Sequence, residues 1–251
     1  MITSKDIIAD MHTHTIFSEH AFSTLKENMD VAYERGLKVI ANTDHLYQHG
    51  APLNIKNEAV RIRITEQRVN KLATVKVIGS AEFNVGQPIY NMNYIEHIKW
   101  KPLGLHGLFI DTASETFDSL YEDYLKRSDW NNAFVHIERE LDAVNHGESK
   151  FELTKSCKEY MEKLVLLAKR RDIYLEINEA SFEGGELQLE RLKYWLKIAR
   201  ENGNRIYFGT DAHFCDEVGE FSNSIELINE IGYDKNLILN CDEERVMAFL
   251  E

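Results

Sequence analysis

The chain lacks the markers of several familiar protein classes. Its 251 residues hold three cysteines, Cys157, Cys215 and Cys241, far apart and without a CxxC pair. No disulfide framework or paired-thiol motif follows from them, and the odd count fits a reducing compartment. Three prolines and thirteen glycines are scattered, with no Pro-, Gly- or Ser-rich linker, low-complexity tract or sequence repeat, so residues 1–251 read as one domain. No apolar run approaches the roughly 20 residues that span a bilayer. The opening MITSKDIIAD has no apolar core of a secretory signal, so a cytoplasmic location without a membrane partner is expected. Positive charge is also short: 29 Lys and Arg face 42 Asp and Glu, for a net charge of −13. A nucleic-acid surface normally carries a basic patch, so no nucleic-acid partner is expected.

What is present is an alternation. Short apolar, often β-branched runs at Ile7–Met11, Lys38–Asn42, Val75–Phe83, Pro102–Leu105, Leu141–Asn145, Ile173–Ile177 and Ile206–Gly209 are separated by stretches with helical spacing. Thr24 and Glu27 form a capping box ahead of a helix that Gly36 closes. Thr154–Arg171 and Glu186–Asn202 carry apolar residues at i, i+3 and i+4 with charges opposite. Asn223–Ile231 and Asp242–Leu250 read as two final helices. Strands alternating with helices predict a parallel α/β sheet. No glycine-rich phosphate loop follows any strand, which disfavours an open nucleotide-binding sheet. A barrel is favoured, because polar residues end nearly every strand, where barrel enzymes keep their chemistry.

Those strand ends carry seven of the ten histidines. The first ends in His12-Thr13-His14, with His20 beyond; the second in Thr43-Asp44-His45; the third carries Glu82 and the fourth His106. The fifth ends in His146, the sixth carries Glu176 and Asn178, and the seventh ends in Asp211-Ala212-His213. Side chains at i and i+2 of a strand point the same way, so His12 with His14, and Asp211 with His213, can face one mouth. Neutral imidazole with carboxylate suits zinc, iron or manganese better than calcium or magnesium. A lone HxH is commonplace at a wet strand end; the full ordered set is not.

In HTHTIFSEHAFSTL, TDH, IGSAEFNV, LEINEASF, FGTDAHF and the later GEF, the whole chain resembles the polymerase and histidinol phosphatase (PHP) superfamily, most of all the small YcdX-type bacterial phosphatases. The resemblance implies a distorted (β/α)7 barrel with a trinuclear metal site at the C-terminal ends of its strands. By that resemblance His12, His14, Glu82 and Asp211 match the ligands of a first metal, and Glu82 bridges to a second completed by His106 and His146. His20, His45 and His213 match the third. Three divalent transition-metal ions are implied, zinc first, with manganese or iron as alternatives. The implied reaction is hydrolysis of the phosphate monoester of a small substrate by a metal-activated hydroxide.

Asp44 and Glu176 are candidate partners for the outward N–H groups of the ligating imidazoles, and Asn178 is a candidate contact to substrate or ligand. His49 reads as a surface-loop residue with a general-acid or phosphate role as the alternative. His97 and His136 read as structural or surface residues, and Arg139 as part of a solvated helix face. The loops depart from the family pattern at Gly147 after His146, at LYQHGAPLN after the TDH motif, and at Gly107-Leu108 after His106. These segments shape substrate choice. A PHP-type phosphodiesterase or nuclease, a histidinol phosphatase proper, and a non-catalytic metal-binding barrel are the alternative readings.

Overall fold

The computed structural model describes residues 1–18, 20–45, 55–86, 96–106, 115–139, 141 and 152–251, with the backbone alone for 55–59. Its strands are β1 Ala9–Thr13, β2 Val39–Asn42, β3 Lys76–Gly79, β4 Phe83–Asn84, β5 Pro102–Gly104, β6 Ala133–Phe134, β7 Tyr174–Asn178 and β8 Ile206–Gly209. Every ladder between them is parallel, in a three-stranded sheet ordered β1-β2-β3 and a five-stranded sheet ordered β4-β5-β6-β7-β8. Parallel neighbours need long crossovers, and helices supply them. The helices between strands are α1 Leu25–Glu34, α2 Ile55–Val69, α3 Phe117–Arg127, α4 Lys155–Arg171 and α5 Glu186–Asn202, while α6 Ser222–Ile231 and α7 Glu243–Met247 follow the last strand.

The two sheets meet at two seams. β3 and β4 are successive pieces of one stretch, and between them Glu82 forms an isolated parallel bridge with His45. At the other end Thr13 bridges Ala212, where the His14 N–H donates to the Ala212 carbonyl at 2.9 Å and the Asp211 N–H to the His12 carbonyl at 2.8 Å. The β1–β2 register also shifts between Asp10 and Thr13, beside His12. Irregularities of this kind re-aim side chains near functional sites.

The strands form where apolar residues are buried on both faces, as parallel sheets require. On one face Met11, Ala41, Ile78, Val135 and Tyr207 surround Trp100, whose indole N–H donates to the Met11 carbonyl at 3.0 Å. On the other, Ile40, Val77, Phe134, Leu175 and Phe208 pack with the helices, notably Leu164, Leu192 and Trp195. Each fully buried side chain of this size contributes roughly 1.5–3 kcal/mol through removal from water. Among the described residues no helix is long and apolar enough to cross a membrane.

Local signals hold where the expectations rest on them. Thr24 caps α1, with the Glu27 carboxylate accepting from the Thr24 N–H at 2.7 Å, and Gly36 takes φ +78° just beyond. Helices α4 and α5 fall where their spacing predicts; α2 and α3 are additional to the predicted set. One strand expectation falls almost entirely outside the described residues. Leu141 lies outside any strand and 142–145 lie outside the described residues, whereas the strand between β5 and β7 is Ala133–Phe134. With two ladder residues it is too short for periodicity to reveal.

Polar side chains tie the start of the chain to its last quarter. The Asn240 amide donates to the carbonyls of Ala9 and Phe208, both at 2.8 Å. The Asn229 side chain pairs with both backbone groups of Ile2. Buried Asp10 accepts from the Thr210 hydroxyl at 2.6 Å and the Gly219 N–H at 2.9 Å.

Candidate metal centre

Both sheet seams deliver residues to one place. Glu82, fully buried between β3 and β4, stands at its middle. Its Oε2 lies 3.3 Å from His12 Nε2, 3.5 Å from His14 Nε2 and 3.2 Å from His45 Nδ1. Its Oε1 lies 3.3 Å from His106 Nε2 and 3.0 Å from His136 Nε2. The two oxygens thus face two separate groups of imidazoles. Asp211, just past β8, turns Oδ1 toward His14 Nε2 at 3.0 Å and His12 Nε2 at 3.4 Å. His213 and His45 flank the His14 ring at 4.5 Å between centroids, and the His20 ring lies 4.5 Å from His213 and 5.1 Å from His45. Eight of the nine residues expected as ligands therefore converge; His146 lies outside the described residues, as does His49.

The outer contacts determine which nitrogens face inward. His12 Nδ1 is 2.6 Å from Glu176 Oε1, and a carboxylate can only accept, so Nδ1 carries the proton and Nε2 points at Glu82. The Ser18 hydroxyl donates to Asp44 Oδ1 at 2.8 Å and accepts from the His45 N–H at 3.1 Å. It is also 3.0 Å from His14 Nδ1, which must donate to it. Asp44, a candidate partner of the ligating imidazoles, therefore acts on His14 through Ser18. His213 Nδ1 donates to the Asp211 carbonyl at 2.7 Å. That leaves its buried Nε2 as a lone pair without a hydrogen-bond partner among the described residues.

These atoms make a cage of acceptors. His12 Nε2 and His14 Nε2 lie 3.0 Å apart, the separation of two ligands each about 2.1 Å from one ion at roughly a right angle. Among the described residues, three clusters have ligand atoms close enough to share a cation: His12, His14, Glu82 and Asp211; His45, Glu82 and His106; and His14, His45 and His213. The donor chemistry fits divalent transition metals.

The electrostatics agree. Burial opposes charge on His12, but Glu176, Asp211 and Glu82 outweigh it and hold the imidazole pKa well above its ordinary value. The same carboxylates that favour a proton on His12 favour a cation in its place, so proton and cation compete for the cage. Burial would raise the Glu82 carboxyl, yet the imidazoles of His106, His45 and His12 hold it well below the usual carboxylate range. Asp211 behaves likewise, with His12, His14 and Arg139 overcoming burial. Burial and the nearby His14 push His213 down to about 4, so it stays neutral and able to ligate.

Glu176 organises the surroundings. Beyond His12, its Oε2 accepts from the His136 N–H and from Asn178 Nδ2, both at 3.0 Å, and Asn178 reaches Asp211 Oδ2 at 3.3 Å. This leaves no room at Gly209, where a Cβ would meet Glu176 Oε1 at 2.2 Å and the His12 Cβ at 2.5 Å. Gly209→Ala should cost roughly 1–3 kcal/mol by overpacking and weaken metal uptake by displacing Glu176. Denaturant unfolding and metal titration check this; wild-type values in both would refute it.

Two residues in the site correct the sequence reading. His136 is buried against Glu82 rather than a structural or surface histidine, at a left-handed φ of 29°. Arg139 is not on a solvated helix face; its Nη1 lies 2.5 Å from Asp211 Oδ2. Both follow the short β6, so the missing strand signal hid them together. Beside Arg139, Asp211 and His213 opens a cavity of about 310 Å³, lined further by Glu179, Glu183 and Asp216. His97 is exposed, away from these clusters.

No protein-family profile matches the chain. It is 27% identical over 254 residues to a probable phosphatase of Vibrio parahaemolyticus, covering 98% of this chain and 94% of that relative. It is 28% identical to a probable phosphatase of Photobacterium profundum, covering 97% and 94%. Among solved structures it resembles the histidinol phosphate phosphatase of Lactococcus lactis, complexed with zinc, L-histidinol and phosphate. That TM-score is 0.62 at 18% identity, over 90% of this chain and 94% of the other. Relatives matched along almost the whole length and a shared fold are consistent with the motifs by which the chain resembles the polymerase and histidinol phosphatase superfamily.

Proposed function

We propose that the chain is a metal-dependent phosphatase that hydrolyses the monoester of a small phosphorylated substrate at a trinuclear centre. The observation that carries this is Glu82, whose two oxygens face two groups of imidazoles within 3.5 Å. His12, His14, Glu82 and Asp211 would hold one ion. Glu82, His106 and His136 would hold a second, with His136 providing the ligand sought at His146. His45, His213 and His20 would hold a third beside His14. The parallel bridges at both seams support a single closed, distorted barrel, with β3 and β4 as one interrupted strand and the centre at its C-terminal rim. The relatives named as phosphatases support the reaction class.

If these residues hold divalent cations, the ions would supply Lewis-acid chemistry for phosphoester hydrolysis. The chain's own residues prepare the site for this. Glu176 and the Asp44–Ser18 pair fix the tautomers of His12 and His14, so that their Nε2 lone pairs face inward. Zinc is the expected ion, with manganese or iron as alternatives, because imidazoles outnumber carboxylates in the cage. The cavity beside Asp211 and His213 gives the substrate its room.

Phosphate release from p-nitrophenyl phosphate and from bis-p-nitrophenyl phosphate tests the reading. The metal-loaded chain should favour the monoester at least about tenfold, and a chelator should remove both activities. Preference for the diester would replace the monoesterase reading with the phosphodiesterase one, and metal-independent turnover would end both.

A further inference from the structure

Arg139 stands outside the ligand set yet touches it, and the chain invests several interactions in placing it there. It ends a tight turn that begins at His136, whose left-handed φ of 29° bends the chain back over the rim, and the Arg139 N–H closes that turn on the His136 carbonyl at 2.9 Å. Between them Ile137 is buried in the core. The buried Glu138 carboxylate is held by the Ser181 hydroxyl at 2.5 Å and the Trp195 indole N–H at 3.0 Å. One turn therefore reaches both carboxylates of the proposed ligand set, Glu82 through His136 and Asp211 through Arg139.

The two oxygens of Asp211 have different neighbours. Oδ1 faces the imidazoles of His14 and His12 at 3.0 and 3.4 Å. Oδ2 receives Arg139 Nη1 at 2.5 Å and Asn178 Nδ2 at 3.3 Å. Rotation of the carboxylate would exchange the oxygens, and two donors aimed at one of them oppose it. Asp211 is constrained from its backbone as well, with φ 58° and its N–H on the His12 carbonyl. We propose that Arg139 is a positioning residue that reserves Oδ2 of Asp211, so that this carboxylate offers a single, fixed oxygen to the centre. The inference rests on the metal-centre reading and adds to it a residue that ligates nothing.

Orientation and charge make opposite predictions, which allows a decisive test. A guanidinium that contributed only charge would repel nearby dications, and its loss would tighten their binding. A guanidinium that orients a ligand would, on loss, weaken binding about 10- to 100-fold, as for other groups that hold metal ligands in place. Zinc affinity is measured by competition with a chromophoric chelator for the wild type, Arg139→Met and Arg139→Lys, and for Asp211→Asn with and without Arg139→Met. Arg139→Met should bind its weakest-held zinc at least tenfold less tightly, and Arg139→Lys, which keeps one donor, should recover part of the loss. In the Asp211→Asn background, Arg139→Met should change affinity less than twofold, because the group it orients is already altered. Lysine rescue separates positioning from a general folding defect. Unchanged or tighter zinc binding by Arg139→Met, or an equal loss in the Asp211→Asn background, overturns the proposal. A wild type that takes up no zinc, manganese or iron defeats the metal-centre reading itself, and the proposal with it.

Discussion

Glu82→Gln should reduce phosphate release by at least about 10³-fold and lower the ions retained per chain. The substitution keeps shape and volume, so the buried site is not emptied. It removes the one charge that faces His12, His14 and His45 from one oxygen and His106 and His136 from the other. An amide is a poor ligand for these ions, and its NH2 group would turn a donor toward one set of imidazoles where an acceptor stood. Glu82 belongs to two of the three candidate clusters, as His14 and His45 do, but of these three only Glu82 is a carboxylate that brings negative charge to the cations, so its loss should exceed that of any single imidazole. Metal content by mass spectrometry and turnover of p-nitrophenyl phosphate are the measurements, with thermal unfolding of the metal-free chain as the check on folding. Wild-type content and turnover in this variant would remove the foundation of the proposed centre.

His136→Ala should cost roughly 10²- to 10³-fold in turnover and weaken the ion shared with Glu82 and His106, and His146→Ala is the comparison, because His146 is the ligand expected from sequence. The expectation for His136 follows from its position. His136 Nε2 sits 3.0 Å from Glu82 Oε1, and its ring centroid lies 5.1 Å from that of His106, edge to face. Its backbone N–H is fixed by Glu176, so the ring is aimed before any ion arrives. The reverse pattern, with His146→Ala inactive and His136→Ala active, would return the second site to His146.

That pair of histidines also marks where reading from sequence stopped. Strands β1, β2, β7 and β8 carry four or five residues each, enough for an apolar run to stand out and for its polar end to be found. His12, His14, His45, Asp211, His213 and Glu176 follow from those runs. β6 has two residues, and the charged IERE stretch after it resembles a helix face, so neither His136 nor Arg139 carries a signal of its own. Asp44 illustrates a different limit. Adjacency to His45 suggests partnership, but neighbouring side chains on an extended backbone point opposite ways. The partner is His14, reached through a serine whose position depends on the turn after β1. Gly209 is likewise unremarkable in sequence, and only the approach of Glu176 and His12 shows why a side chain is excluded there.

The ties that join Asp10 to Thr210 and Gly219, and Asn240 to Ala9, span about two hundred positions. His12 and His14 are therefore synthesised about two hundred residues before Asp211 and His213, the partners they meet in the cage. Such distant closure slows folding, so the cage can be complete only once contacts of the longest range in the chain have formed.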